Sequence, residues 1–319
     1  MALQPSPAAL PPRRPGPVPD PRFLELFGHG RAAADVLLAG VPFDGAVIGR
    51  KGCREGPTAI REAMRFLATH DPVRGVDLAG LRLHDAGDVL LPWDAGVLDA
   101  HRLVREEARS LFAAGKPLVL LGGDNSLSAP HVQALRDARG GRIGLVVLDA
   151  HYDLRPVPPD GIPTSGTPYR RLIEEGVVAP ANLAEVGIRP YANTKALADY
   201  AAQKGVHVVT VAQVRQQGVA DAAAGALARA AAGVDHVLLS VDIDGLDQSI
   251  ASGCSAPGAG GLTFDEASAV VHAVAAHPLC RGMDLVEVAP SLDPTGNTAR
   301  TAAQLVAAFA GGLTCRPRA

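Results

Sequence analysis

A chain of 319 residues is long enough for two average domains or one large α/β domain, and 47% hydrophobic residues at a mean hydropathy of +0.13 supply a sizeable core. A formal net charge of -3 leaves no one-signed field of the kind that holds nucleic acid or an anionic membrane, and no apolar stretch is long enough to span a bilayer. The four cysteines, Cys53, Cys254, Cys280 and Cys315, have no C-x-x-C spacing and are too few for a disulfide framework, so they read as reduced thiols of a cytoplasmic protein.

Residues 1–22 are proline-rich and lack the apolar run of a secretory leader, which predicts a disordered tail. From Asp35 onward, short runs of Val and Leu alternate with Ala-rich helical stretches. The first strand is expected at DVLLAG (35–40), followed by a helix at PTAIREAMRFL (57–67) with Pro57 in its first turn. A long helix follows over 94–114, a strand at PLVLLG (117–122), a helix at SAPHVQALRDA (128–138) and a strand at RIGLVVLD (142–149). Further strands are expected at NLAEVGI (182–188), VHVVTV (206–211), HVLLSVDI (236–243) and MDLVEV (283–288). The last two flank a helix over 264–277 that starts at Thr263 ahead of Asp265 and Glu266. Strands apolar on both faces, alternating with helices, predict a mainly parallel sheet covered on both sides. With no internal repeat and no later linker, residues 23–319 read as a single domain.

In such sheets ligands sit beyond the carboxyl ends of the strands, and the unusual residues gather there. VVLDAHYDLR ends an apolar run with Asp149, His151 and Asp153 at alternate positions, which an extended segment would aim to one side. LLSVDIDGLD repeats the pattern with Asp242 and Asp244, and Asp247 follows. If the two strands are neighbours, four carboxylates share one small space, where like charges and burial both oppose ionisation. Two divalent cations would neutralise them, and a mixed oxygen and imidazole set suits Mn²⁺ better than Zn²⁺, Ni²⁺ or Fe²⁺. A lone D-x-D often does no more than cap a helix; two of them at two strand ends favour metal. PLVLLGGDNSLS adds a glycine turn before a helix, but it has neither a Walker lysine nor G-x-G-x-x-G spacing, which argues against a nucleotide site.

Gly122-Gly123-Asp124-Asn125-Ser126, Asp149-Ala150-His151-Tyr152-Asp153 and Ser240-Val241-Asp242-Ile243-Asp244 resemble, in order and spacing, the three signatures of the ureohydrolase (arginase/agmatinase) superfamily. The similarity runs from about Asp35 to the C-terminus and includes GVPFDGA, GIRPY and LVEVAPSLDPTGNTARTAA. The resemblance implies an arginase-like three-layer α/β/α fold, two Mn²⁺ per chain and a homo-oligomer, trimeric or hexameric. It also implies that Asp149 and Asp242 bridge the ions, that His151 and Asp244 complete one site, and that Asp153 completes the other. Asn125 stands where the arginase-type pattern has a histidine ligand, so its neutral carbonyl would hold that ion more weakly. Ser165 stands where a proton-shuttling histidine is usual, and a hydroxyl cannot do that work near neutral pH.

SGTPYRR after DAHYDLR, and GRKGCREGPTAIREAM, are more similar to the formimidoylglutamase branch than to agmatinase. That branch implies hydrolysis of a linear amidine, formimidoylglutamate, to glutamate and formamide in histidine degradation. Asp153 is expected to orient the attacking water, Glu287 to accept hydrogen bonds from the amidinium, and Ser165 to bond substrate. Arg155 is the first candidate to clamp a substrate carboxylate, with Arg170, Arg171 and Arg189 behind it. Cys254 is expected to line the pocket, while His70, His84, His101, His131 and His236 read as ordinary core or surface residues. Two other readings remain open: a guanidino hydrolase that releases urea, and a metal-poor paralogue without catalysis. No nucleic-acid or membrane partner is expected.

Overall fold

The protein is described here by a computed structural model covering residues 21–316. The expected tail therefore lies, over residues 1–20, outside the described residues. Arg22 forms an antiparallel bridge with Ala68, and Phe23 is fully buried.

In chain order the elements are β1 (Val36–Gly40), α1 (Gly56–Met64), β2 (His70–Asp71), β3 (Val76–Asp77), β4 (Leu83–Asp88), α2 (Val97–Phe112), β5 (Leu118–Leu121), α3 (Ser128–Arg139), β6 (Ile143–Leu148) and α4 (Pro168–Glu174). They continue as β7 (Val178–Ile188), α5 (Lys195–Lys204), β8 (His207–Thr210), α6 (Val211–Gln217), α7 (Val219–Ala231), β9 (His236–Asp242), α8 (Phe264–Ala276), β10 (Cys280–Val286) and α9 (Asn297–Thr314). Eight strands form one sheet in the order β4-β1-β5-β10-β9-β6-β7-β8, and every pairing in it is parallel. The short β2 and β3 make a separate antiparallel pair.

The period-2 alternation of the strands divides the core into two layers. Leu38, Val119, Val146, Val186 and Leu239 pack with α1 and α6 to α9, whereas Leu37, Leu118, Val147, Leu183 and Leu238 pack with α2 to α5. Each fully buried Val or Leu contributes roughly 1.5–3 kcal/mol, and both faces of the sheet are supplied with them. This is the expected α/β/α architecture. Local signals hold as well. Pro57 lies in the first turn of α1, and Thr263 caps α8 in a reciprocal pair with Glu266.

β4 was not among the strands expected from sequence. LHDAGD is largely polar, and it is held at the sheet edge by a partner remote in sequence. Arg61 of α1, only 1% exposed, donates from Nε to Asp85 at 2.8 Å and from Nη1 to Asp88 at 2.5 Å. Gly40 makes room for that pair, since a β carbon there would lie 1.9 Å from Asp88 Oδ1.

Candidate metal centre

Four adjacent strands, β5, β10, β9 and β6, deliver the unusual residues to one place at their carboxyl ends. Leu148 pairs with Val241, so Asp149 follows β6 beside Asp242 at the end of β9. Val286 pairs with Asp242, which brings Glu287 alongside, and Leu121 pairs with Leu285, which brings in the Gly122–Asn125 turn. The double glycine there serves a backbone crossing: a β carbon on Gly123 would stand 1.6 Å from Phe43 O, which accepts from Asp124 N at 2.9 Å.

The alternate-face explanation for the two acidic motifs is corrected by the structure. β6 stops at Leu148, and the chain then bends: Asp149 Oδ1 accepts from His151 N at 2.6 Å. Asp242 Oδ1 accepts from Asp244 N at 2.9 Å in the same fashion. Each motif is thus a strand end closed by its own aspartate, which caps the residue two positions on. Asp153 and Glu287 take left-handed backbone, at φ 46° and 66°, to reach the same point.

Two groups of possible ligands result, and they share Asp149: one is Asp149, His151 and Asp244, the other Asp149, Asp153 and Asp242. Within each group the donor atoms lie within 4.8 Å of one another. Asp149, Asp242 and Asp244 are buried, and Asp153 is half-buried. Burial, then the Asp153 and Asp244 carboxylates, hold Asp149 well above the usual carboxylate range. Burial, then Asp244 and Asp149, do the same to Asp242, and burial leads the rise of Asp153 to about 6. For His151 burial works downward, but the adjacent Asp244 and Asp149 carboxylates raise it to about 11. His151 Nδ1 lies 3.2 Å from Asp244 Oδ2, while Asp244 Oδ1 is buried without a hydrogen-bond partner among the described residues. An unsatisfied oxygen beside mutually repelling carboxylates and an imidazole is the donor set a divalent cation needs.

These raised acids fix a pH dependence. Folding raises their affinity for protons above the unfolded value near 4, so without metal the folded state binds more protons and loses stability as pH rises through the acids' folded values. Glu185, buried in β7 with neither oxygen hydrogen-bonded among the described residues and held high first by burial, adds in the same direction. The His151 contribution is fully present up to about pH 6.5 and declines only above it. The melting temperature of chelator-treated protein is expected to fall by about 5 °C between about pH 4.5 and 6.5. Calorimetry showing a rise over that interval would mean the carboxylates do not repel.

A cavity of about 190 Å³ opens over the centre, lined by Ile48, Arg155, Ser165, Ser255 and Glu287 together with His151, Asp153, Asp242 and Asp244. A larger cleft of about 650 Å³ beside Trp93 and α1 contains no histidine and none of the clustered carboxylates. Arg155 is exposed at the cavity, and its charge acts on Asp153. Ser165 ties down the 46–48 segment: Oγ accepts from Ile48 N at 3.0 Å and its N–H donates to Ala46 O at 2.8 Å. Glu287 Oε1 accepts from Asn125 N at 2.7 Å, and burial, then Asp124, hold its carboxyl well above the ordinary range.

Several expected neighbours are elsewhere. Cys254 is buried and donates from Sγ to Ala251 O at 3.3 Å, while Ser255 and Ala256 line the cavity in its stead. Arg189 is spent on backbone carbonyls, including Gly258 O at 2.9 Å; Arg170 and Arg171 pair with Glu174 and Glu175. Asp247 caps a surface turn through Ser249 N and Gly260 N. His101 and His131 are buried and partnered, the first with Ser126 and Arg171, the second with Asp284. Sequence reading singled out neither Ser128 nor Tyr169, which bond Asn125 Oδ1, nor Asp284 behind Ser128, although GGDNSLS and SGTPYRR contain the first two; nothing local shows that they meet at Asn125.

The description "Arginase family" belongs to the family model that matches residues 34–311. The chain belongs to the arginase family. It is 43% identical over 299 residues to a formimidoylglutamase of Halobacterium salinarum, covering 93% of this chain and 91% of that protein. Among solved arginase-like structures, the formimidoylglutamase of Bacillus subtilis superposes with a TM-score of 0.89 at 29% identity, over 99% of this chain and 97% of that one. The formiminoglutamase of Trypanosoma cruzi, solved with Mn²⁺, gives 0.87 at 29% identity, over 94% of this chain and all of that one.

Proposed function

We propose that this arginase-family chain is a metal-dependent hydrolase that cleaves formimidoylglutamate to glutamate and formamide, as in histidine degradation. The observation that carries the reading is the two ligand groups that share Asp149, one of them with an imidazole, at the cavity that Glu287 also lines. The 43% identity to a formimidoylglutamase over nearly the whole chain supports that substrate over a guanidino compound. Asp149, His151, Asp153, Asp242 and Asp244, with Asn125, would hold two Mn²⁺ ions. When bound, the pair supplies water activated near neutral pH and positive charge for the clustered acids.

The chain's own groups do the rest. Asp153 accepts a hydrogen bond from the attacking water and aims it at the amidine carbon. Glu287 Oε2, buried and without a hydrogen-bond partner among the described residues, receives the amidinium N–H groups and fixes that carbon in place. Water adds to the carbon, the bond to the glutamate nitrogen breaks, and a proton from water ends on that nitrogen. Arg155, at the rim, pairs with a substrate carboxylate. Ser165, which holds the 46–48 segment, shapes the wall. The same reading takes residues 23–319 as one catalytic unit, acting in the cytoplasm as a trimer or hexamer.

Assay of the Mn²⁺-loaded chain on formimidoylglutamate, agmatine and short guanidino acids tests the reading. Formamide release supports it, and urea from a guanidino substrate alone would replace it. Arg155→Ala is expected to raise KM about tenfold or more with kcat nearly unchanged, the loss of one charge-assisted hydrogen bond. Steady-state kinetics with unaltered KM would remove Arg155 from substrate binding.

A further inference from the structure

Asn125 is completely buried at the foot of the acid cluster, and both ends of its amide are engaged. Nδ2 donates to Asp153 Oδ2 at 2.6 Å and lies 3.5 Å from Asp149 Oδ2. Oδ1 accepts from Ser128 Oγ at 2.8 Å and from Tyr169 OH at 3.2 Å. Behind these hydroxyls lies a second row, also fully buried. Ser240 Oγ is 3.0 Å from Tyr169 OH and 3.1 Å from Ser128 Oγ. Asp284 Oδ1 accepts from Ser240 at 2.6 Å and from Ser128 at 3.0 Å, and Asp284 Oδ2 lies 2.9 Å from His131 Nδ1.

In the metal-free structure the nitrogen end of Asn125 faces Asp149 and Asp153, whose carboxyl oxygens accept from it. A cation accepts only the oxygen end. A half-turn of the amide would strand a buried polar group if its neighbours were pure donors, at a cost of about 1–3 kcal/mol. The neighbours here are hydroxyls, which both donate and accept. Each also has a second place for its proton: Ser128 can give it to Asp284 Oδ1, and Tyr169 can give it to Ser240 Oγ. After the half-turn both hydroxyls accept from Nδ2, and no group in the network is left unpaired.

We propose that Tyr169 and Ser240 are positioning residues that, with Ser128, let the buried Asn125 amide reverse: nitrogen toward Asp149 and Asp153 in the metal-free chain, oxygen toward the same point when a divalent cation binds. The inference rests on the metal reading above. It makes the loaded state, and only that state, depend on Ser240 as the acceptor of the Tyr169 proton. Ser240 bonds neither Asn125 nor the clustered acids; its other neighbour, Ser128, gives its proton to Asp284 in the loaded state, so the effect of Ser240 on metal passes through Tyr169.

Chelator-stripped wild type, Ser240→Ala, Tyr169→Phe and the double variant are titrated with Mn²⁺ in a calorimeter, with circular dichroism to compare their folds. Ser240→Ala is expected to weaken one of the two ions about fivefold to tenfold and leave the other unchanged, the effect of one hydrogen bond. In the Tyr169→Phe background, which has no proton to place, the same substitution is expected to change neither constant. Both constants unchanged in Ser240→Ala, or equal weakening in the two backgrounds, would overturn the proposal. Neutron diffraction of deuterated wild-type crystals gives a reading without variants: the ND2 group should face Asp153 without metal and Tyr169 with Mn²⁺. The same orientation in both crystals overturns the proposal and leaves the hydrolase reading standing. A wild type that binds no Mn²⁺ overturns both.

Discussion

Asp149→Asn is expected to bind less than one Mn²⁺ at saturation and to hydrolyse substrate about 10³-fold more slowly, the rate equivalent of about 4 kcal/mol. Asp149 is the one residue common to both ligand groups, so a single substitution weakens both ions at once. The same change has the opposite sign on the empty chain. It removes a fully buried carboxyl whose charge burial, Asp153 and Asp244 all oppose, so chelator-treated Asp149→Asn should melt above chelator-treated wild type. Metal analysis by mass spectrometry and paired melting curves read both effects. A variant that keeps two ions and activity within about tenfold of wild type would remove the shared-ligand account.

Glu287→Gln should lower kcat/KM about 100-fold while the chain still binds two ions, because the carboxylate's charge-assisted bonds to an amidinium become neutral ones. Gln keeps an oxygen for the 2.7 Å bond from Asn125 N, so the turn that carries Asn125 stays in place. Burial, then Asp124, oppose the charge of Glu287, and a cationic amidinium beside it would offset both. Steady-state kinetics beside metal stoichiometry separate the outcomes. Undiminished kcat/KM would mean that Glu287 does not touch the substrate, and loss of an ion would make it part of the metal centre.

The sheet was legible because each long strand carries its own reason to be one: Val and Leu runs such as IGLVVL are covered on both faces. β4 was not, because LHDAGD is stabilised by Arg61, more than twenty residues upstream, and no local pattern carries that pairing. The acidic strand ends were legible for a similar reason: carboxylates following an apolar run are costly without a partner. Their geometry was not, since the bend that joins Asp149 to His151 depends on a hydrogen bond that composition does not reveal. Cys254 was misplaced by proximity alone, one residue from Ser255, which does line the cavity. The surroundings of Asn125 were invisible because Ser128, Tyr169, Ser240 and Asp284 come from α3, α4, β9 and β10, and each is unremarkable alone.

The left-handed backbone at Asp153 and Glu287 has a consequence for how the chain can change. A non-glycine residue held there costs roughly 1 kcal/mol or more, which glycine would recover while deleting a carboxylate that the proposed hydrolysis uses. Selection for heat resistance alone would therefore push both positions toward glycine and erase the chemistry first. Drift toward robustness and drift toward turnover run in opposite directions at these two points, and a stabilised descendant should be inspected there before anywhere else.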